Sequence, residues 1–220
     1  MRTDYTLWFS SGSSPRVSLC ALEECAADYS LVHVPIGQQA NTSPAYLALN
    51  PKGKVPLLRT AQGLLSENIA IVSYLNARYP QAALLPTHNP WQQAQALSLM
   101  AWCASQLHAT IYRLRRSERI HPDADAHVKV QQMALAELAP QLAVAEDLLA
   151  QQANQPHNAG PWLLGARWCM ADTYLWWVWS RASTSGITPE SLPRLRAHGL
   201  AVEQRAATQR ALARESAASL

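Results

Sequence analysis

Residues 50–74 read NPKGKVPLLRTAQGLLSENIAIVSY, and the rest of the chain is organised around them. Val55-Pro56-Leu57-Leu58 is a short apolar run entered through a proline, which cannot donate to a sheet ladder. A polar turn, Thr60-Ala61-Gln62-Gly63, separates it from a second run, Leu64-Leu65. Ser66-Glu67-Asn68 then opens an apolar-periodic segment through Ile69, Ile71, Val72 and Leu75. The pattern predicts strand, turn, strand and capped helix. Three features call for a common reason: a proline entering a strand, a carboxylate in the first turn of a helix, and an amide beside it.

One arrangement supplies that reason. A cis Val55–Pro56 bond would turn the Val55 backbone outward, leaving its N–H and C=O to pair with an extended ligand. The first N–H groups of the helix, beside Asn68, have no acceptor inside it and favour an anion, so they would receive a ligand carboxylate. Glu67 would take a ligand ammonium. Backbone pairing, an anion seat and a cation partner within a few residues suit a short zwitterionic peptide. NPKGKVPLL followed by LLSENIAI resembles the glutathione-binding segment of the cytosolic glutathione transferases, whose usual form is NP-x-G-x-VP and then E/Q-S/N/G-x-A-I.

Bulk properties agree with an enzyme-sized globular protein. The 220 residues suffice for one large domain or two modest ones. Hydrophobic residues make up 49% and charged residues 15%, so a sizeable core is available. The net charge of +3, without a long Lys/Arg run, argues against a nucleic-acid partner. Arg113, Arg115, Arg116 and Arg119 cluster, as on a solvated helix face or the rim of an anionic-substrate site. Cys20, Cys25, Cys103 and Cys169 have no metal-ligand spacing and are expected to be free thiols in a reducing compartment, with no metal bound. No apolar run reaches the roughly 18 residues of a membrane span. The expectation is a cytoplasmic protein that uses no membrane.

Around the central stretch, Tyr5–Phe9 and Tyr29–Ile36 read as strands, and Ser14-Pro15 as the start of a helix running to about Ala27. A short helix is expected at Pro44–Leu49 after a polar loop, 37–43. The order β-α-β-α-β-β-α within residues 1–80 is the thioredoxin-like layout, in agreement with the resemblance. QAALLPTHNP, residues 81–90, reads as a linker. Residues 91–220 form an all-helical domain: Trp91 to about Arg116, His127 to about Asn154 with Pro140 as a kink point, and a very apolar helix after Asp172. The alanine-rich last twenty residues are expected to fray. The resemblance assigns Cys169 and Asp172 to a capping box that usually begins with Ser or Thr; sulfur accepts poorly, so this cap should be weaker by roughly 0.5–2 kcal/mol.

Within the resemblance, the chain is most similar to the bacterial beta class. Glutathione is implied as co-substrate, to be held as thiolate against a small hydrophobic electrophile. Family members are usually homodimers, and detoxification is their usual task. The loop Ser10-Ser11-Gly12-Ser13-Ser14 offers hydroxyls at the start of the first helix, where a thiol is acidified. In the beta-class register the family's mixed-disulfide cysteine falls on Ser14 and its tyrosine on Phe9; in the serine-using register of the tau and zeta classes the catalytic hydroxyl is Ser11. Ser14 is preferred, with Ser13 and Ser11 behind it. Without a cysteine there, conjugation, isomerisation or peroxide reduction is favoured over disulfide exchange. Val55, Pro56, Glu67 and Asn68 would hold the tripeptide; Gln38 and Gln39 stand where a cation often meets the glycyl end, and Lys52 or Lys54 could compensate, with Lys54 the better placed beside Val55. Ser105 and His108 match the position from which a beta-class histidine reaches the site, and Tyr112 and Trp102 are candidates for the electrophile pocket. Two alternatives stand beside a transferase: a glutathione-dependent isomerase on the same fold, and a non-enzymatic regulator like bacterial starvation-response proteins that bind polymerase.

Overall fold

In a computed structural model, which describes residues 4–157 and 159–219, the short apolar runs pair into one four-stranded sheet. Its strands are β1 (Tyr5–Phe9), β2 (Tyr29–His33), β3 (Leu57–Thr60) and β4 (Gly63–Ser66), in the order β2-β1-β3-β4. β1 and β2 are parallel, Tyr5 opposite Tyr29 and Phe9 opposite His33. A parallel pair requires a crossover, and α1 (Pro15–Glu24) supplies it. β3 runs antiparallel to β1, Leu58 opposite Leu7, and the Ala61-Gln62 turn returns the chain along β4.

Side-chain alternation gives this sheet two buried faces. Trp8 and Leu57 pack with Val34 and with Tyr46 of α2 (Pro44–Leu49). Leu7, Phe9 and Leu58 point the other way and are equally buried, as are Val17, Leu19 and Leu22 of α1 and Ile71, Val72 and Leu75 of α3 (Asn68–Arg78). The thioredoxin-like reading of residues 1–80 is therefore the observed one.

Two compact units emerge: the chain up to Leu85 together with the stretch from Gln204 onward, and Pro86–Glu203. The stretch expected to fray is instead the helix α9 (Ala206–Ala218), and it packs in the first unit rather than with the other C-terminal helices. Its hold is ionic as well as apolar. Arg205 donates to Glu24 from Nε at 2.9 Å and Nη2 at 2.7 Å, and Arg210 Nε to Glu23 Oε2 at 2.7 Å. The Arg214 guanidinium lies 3.8 Å from the Tyr29 ring centroid. Burial would raise the Glu23 carboxyl, but the Tyr29 hydroxyl, Arg210 and Arg214 outweigh it and hold the group below its ordinary value.

The second unit is helical: α4 (Pro90–Trp102), α5 (His108–Arg115), α6 (His127–Ala153), α7 (Met170–Ala182) and α8 (Pro193–Glu203). Asn89 caps α4, accepting from the Trp91 and Gln92 N–H groups. The long helix expected from Trp91 to Arg116 is interrupted at Cys103–Leu107 by a wider π turn, and α6 runs through Pro140 without a break. The capping box of α7 does form: Cys169 sulfur faces the first-turn N–H groups while Asp172 Oδ2 accepts from Cys169 N at 2.9 Å. Asp172 Oδ1 also accepts from Leu163 N at 2.8 Å and meets His198 Nε2 at 3.0 Å. The tryptophans of α7, Trp176, Trp177 and Trp179, are buried core. No helix of the described residues is long and apolar enough to cross a membrane.

Candidate functional site

The approach to β3 is shaped by hydrogen bonds that consume its preceding carbonyls. Asn50, itself buried, donates to Lys54 O at 2.7 Å and accepts from Lys52 N at 3.2 Å. Tyr46 Oη donates to the same Lys54 carbonyl at 2.7 Å, and Asn41 Nδ2 to Gly53 O at 2.9 Å. Gly53 sits at φ +60°, where a side chain is strained, and a Cβ there would lie 3.1 Å from Asn41 O. The turn thus delivers a half-buried Val55 and a cis Val55–Pro56 bond, as the sequence predicts.

Across from this turn, Glu67 occupies the residue between β4 and α3 at φ +74°, a conformation rare for a side-chain-bearing residue. Such an outlier held between two regular elements is a reason to suspect function. Its carbonyl accepts the first helical bond, from Ile71 N at 3.0 Å, while its carboxylate stays exposed and takes Lys52 Nζ at 2.6 Å. Ahead of that bond, the Asn68, Ile69 and Ala70 N–H groups have no acceptor within the helix. A carboxylate and an anion seat therefore stand side by side. Lys52 is the lysine that reaches Glu67, and Lys54 is exposed.

Asn68, the first residue of α3, turns its side chain inward. Its side chain is buried, and its Oδ1 accepts from Ser18 Oγ of α1 at 2.7 Å. The amide oxygen is thereby committed to the core, which ties α3 to the helix carrying the serine loop. Gln39 is exposed at a left-handed φ of +58° and accepts from Thr42 N and Oγ1 through its carbonyl.

In that loop the three serines are not equivalent. Ser13 Oγ donates to Ser10 O at 2.5 Å, which closes the turn. Ser11 is exposed. Ser14 is buried at 4% exposure, stands immediately ahead of α1, and makes no capping bond with its hydroxyl. Gly12, at φ +70°, donates its N–H to Glu215 Oε1 of α9 at 2.7 Å. The nearest thiol on the same helix is no substitute nucleophile, because burial pushes Cys20 up to about 12.

Ser105 and His108 lie in the second unit and are three residues apart. Ser105 is exposed within the π turn and donates to Ala101 O at 2.8 Å. His108, half-buried, meets the Trp177 ring edge-on at a centroid distance of 4.5 Å. Among the described residues no group of three or more His, Cys, Asp or Glu side chains could hold a metal ion. Sequence reasoning missed Ser18 and Glu215; a polar residue four beyond Ser14 and an acidic one among alanines were the available signals.

Residues 14–78 match the family described as "Glutathione S-transferase, N-terminal domain". A maleylacetoacetate isomerase of Pseudomonas aeruginosa is 32% identical over 196 residues, which is 86% of this chain and 85% of that protein. The glutathione S-transferase GstA of Escherichia coli O157:H7 is 28% identical over 95% of this chain and 98% of its own. The crystal structure of a Sulfitobacter glutathione transferase homologue with bound glutathione superposes with a TM-score of 0.84 at 28% identity, covering all of both chains.

Proposed function

The chain belongs to the glutathione S-transferase family, and from that premise we propose that it binds glutathione and activates its thiol for attack on a small hydrophobic electrophile. The observation that carries the reading is Glu67: an exposed carboxylate at φ +74°, directly before the open N–H groups of α3. The γ-glutamyl end of glutathione carries an ammonium and a carboxylate on one carbon, and this pair of seats complements both. Glu67 takes the ammonium, displacing Lys52, and the Asn68 N–H takes the carboxylate. Because Asn68 Oδ1 is committed to Ser18, the residue contributes through its donors. Val55 pairs with the cysteinyl backbone beside Pro56, and Lys54 and Gln39 meet the glycyl end.

The sulfur then lies toward the start of α1, where the helix dipole favours a thiolate. Ser14 donates the hydrogen bond that steadies it, with Ser11 as the exposed neighbour; the Ser13 hydroxyl shapes the turn. Removing a donor aimed at developing charge costs on the order of a hundredfold in rate. Ser14→Ala is therefore expected to lower kcat by roughly 10- to 100-fold, and Ser13→Ala to act mainly on stability. Ser105 and His108 belong to the second unit; the protein works as a cytoplasmic homodimer, without a metal.

A second reading has specific support. Besides the Pseudomonas isomerase, a maleylpyruvate isomerase of Ralstonia is 34% identical over 100 residues. Glutathione-dependent cis–trans isomerisation of a maleyl-type substrate needs the same thiolate, added and then expelled, so the serine loop serves both. Conjugation of a chloro-nitroaromatic and isomerisation of a maleyl compound, measured side by side, distinguish the two. Activity in neither assay, with no retention on immobilised glutathione, would refute the enzymatic reading.

A further inference from the structure

We infer that Glu215, at the far end of the chain, is a positioning residue for the thiol site: it fixes the Gly12 turn, and with it the serine hydroxyls, from the C-terminal helix. The inference rests on the reading of Ser10–Ser14 as the loop that meets the glutathione sulfur.

Glu215 is nearly inaccessible, its side chain 3% exposed, yet both of its carboxylate oxygens are used on one short segment. Oε1 accepts the Gly12 N–H at 2.7 Å and Oε2 accepts Arg16 Nε at 2.5 Å. Gly12 lies between Ser11 and Ser13, and Arg16 on the first turn of α1, two residues beyond Ser14. The other side of the turn is closed by Ser10 O, which accepts both Ser13 N at 3.1 Å and Ser13 Oγ. The segment that carries the candidate donors is thus gripped at Gly12 and Arg16 by a single buried carboxylate.

Three physical consequences follow. A charge-assisted bond to a left-handed glycine sets where the neighbouring peptide planes point, and so where Ser11 and Ser14 stand. The Gly12 N–H, bonded to Glu215, is not open to the sulfur. The negative charge that Glu215 brings to the front of α1 is balanced by Arg16, so a second anion, the thiolate, remains tolerable there. Loss of Arg16 would leave the carboxylate as a repelling neighbour.

The same helix carries its own control. Arg205 and Arg210 grip Glu24 and Glu23, at the opposite end of α1 from the serine loop. If α9 were only a staple, breaking either end would act alike, through stability. A positioning role predicts that only the Glu215 end changes the chemistry.

The test compares the full-length parent with E215A, E215Q and R210A. The readouts are the ultraviolet thiolate absorbance of saturating bound glutathione, kcat and KM with a chloro-nitroaromatic, and amide exchange of the peptide containing Gly12. E215A is expected to exchange Gly12 faster, to lose most of the thiolate signal, and to lower kcat by roughly 10- to 100-fold with KM for glutathione changed little. E215Q keeps an acceptor for Gly12 but sets an amide against Arg16, so its thiolate signal should fall several-fold; it reports even if E215A does not accumulate. R210A should lose thermal stability while keeping the thiolate signal and kcat. A parent without a thiolate signal overturns the thiol-site reading and this inference together. A parent with the signal, matched by E215A or E215Q, overturns the inference alone, as does an R210A that loses the signal alongside E215A.

Discussion

Replacing Asp172 by alanine should destabilise the second unit more than a usual core substitution. The side chain is fully buried and serves three partners at once: Leu163 N at 2.8 Å, Cys169 N at 2.9 Å and His198 Nε2 at 3.0 Å. Alanine strands two buried N–H groups, each costing about 1–3 kcal/mol. It also deprives His198 of its acceptor, when the other ring nitrogen already has no partner. Leaving the buried ring N–H unpaired costs about 1–3 kcal/mol more, and contributions within one network do not add fully. An overall loss of about 4 kcal/mol is therefore expected, or roughly 8–16 °C for a chain of this size. Asp172→Asn keeps one acceptor but turns an amide donor toward a backbone N–H, so it should fall between parent and alanine. Differential scanning calorimetry with urea titration measures both variants. A fall of less than about 3 °C in D172A, or a D172N as damaging as D172A, would refute the reasoning.

The thiols give an independent check on the core: burial pushes Cys20 and Cys25 up to about 12 and raises Cys103 and Cys169 as well. A thiol-specific chromogenic reagent near neutral pH should therefore label none of the four in folded protein and all of them in urea; a fast-reacting thiol in the folded state would contradict this packing. Gly199→Ala places a Cβ 2.5 Å from Trp179 Cδ1, and the overpacked site should lose about 1–3 kcal/mol in denaturant titration. Glu23 has a folded-state value below the 4.5 of a free carboxyl, so its contribution to stability is complete above about pH 4.5 and is lost as the pH falls through the folded value. The urea midpoint of the parent should accordingly drop more steeply on acidification than that of E23Q, and equal slopes would show that the pairing with Arg210 and Arg214 has no such effect.

Much of the first unit was legible because its signals are local. Ser14-Pro15 and Ser43-Pro44 mark helix starts, and Gly63 ends a hairpin turn. The cis proline and the Glu67 corner were readable as one ligand-binding motif because their chemistry is consecutive in sequence. What escaped depends on partners distant along the chain. Nothing near Asn68 announces that its oxygen goes to Ser18, 50 residues away. The C-terminal helix reads as alanine-rich and weak, yet Ala207, Thr208, Ala211 and Glu215 form its buried stripe, and its arginines find acidic partners about 180 residues earlier. Helical spacing of those small residues was the signal; their low hydrophobicity concealed it. The π turn at Cys103–Leu107 shifts register by one residue within an otherwise continuous helical pattern, a change that apolar periodicity does not resolve.

The central claim is that Glu67 and the front of α3 receive the γ-glutamyl end of glutathione, and titration calorimetry of reduced glutathione into parent and Glu67→Ala tests it most directly. The account predicts a measurable binding heat for the parent and an affinity weaker by roughly tenfold or more in the variant, which corresponds to about 1.4 kcal/mol. No heat for the parent at millimolar glutathione, or equal affinity in the two proteins, would contradict it.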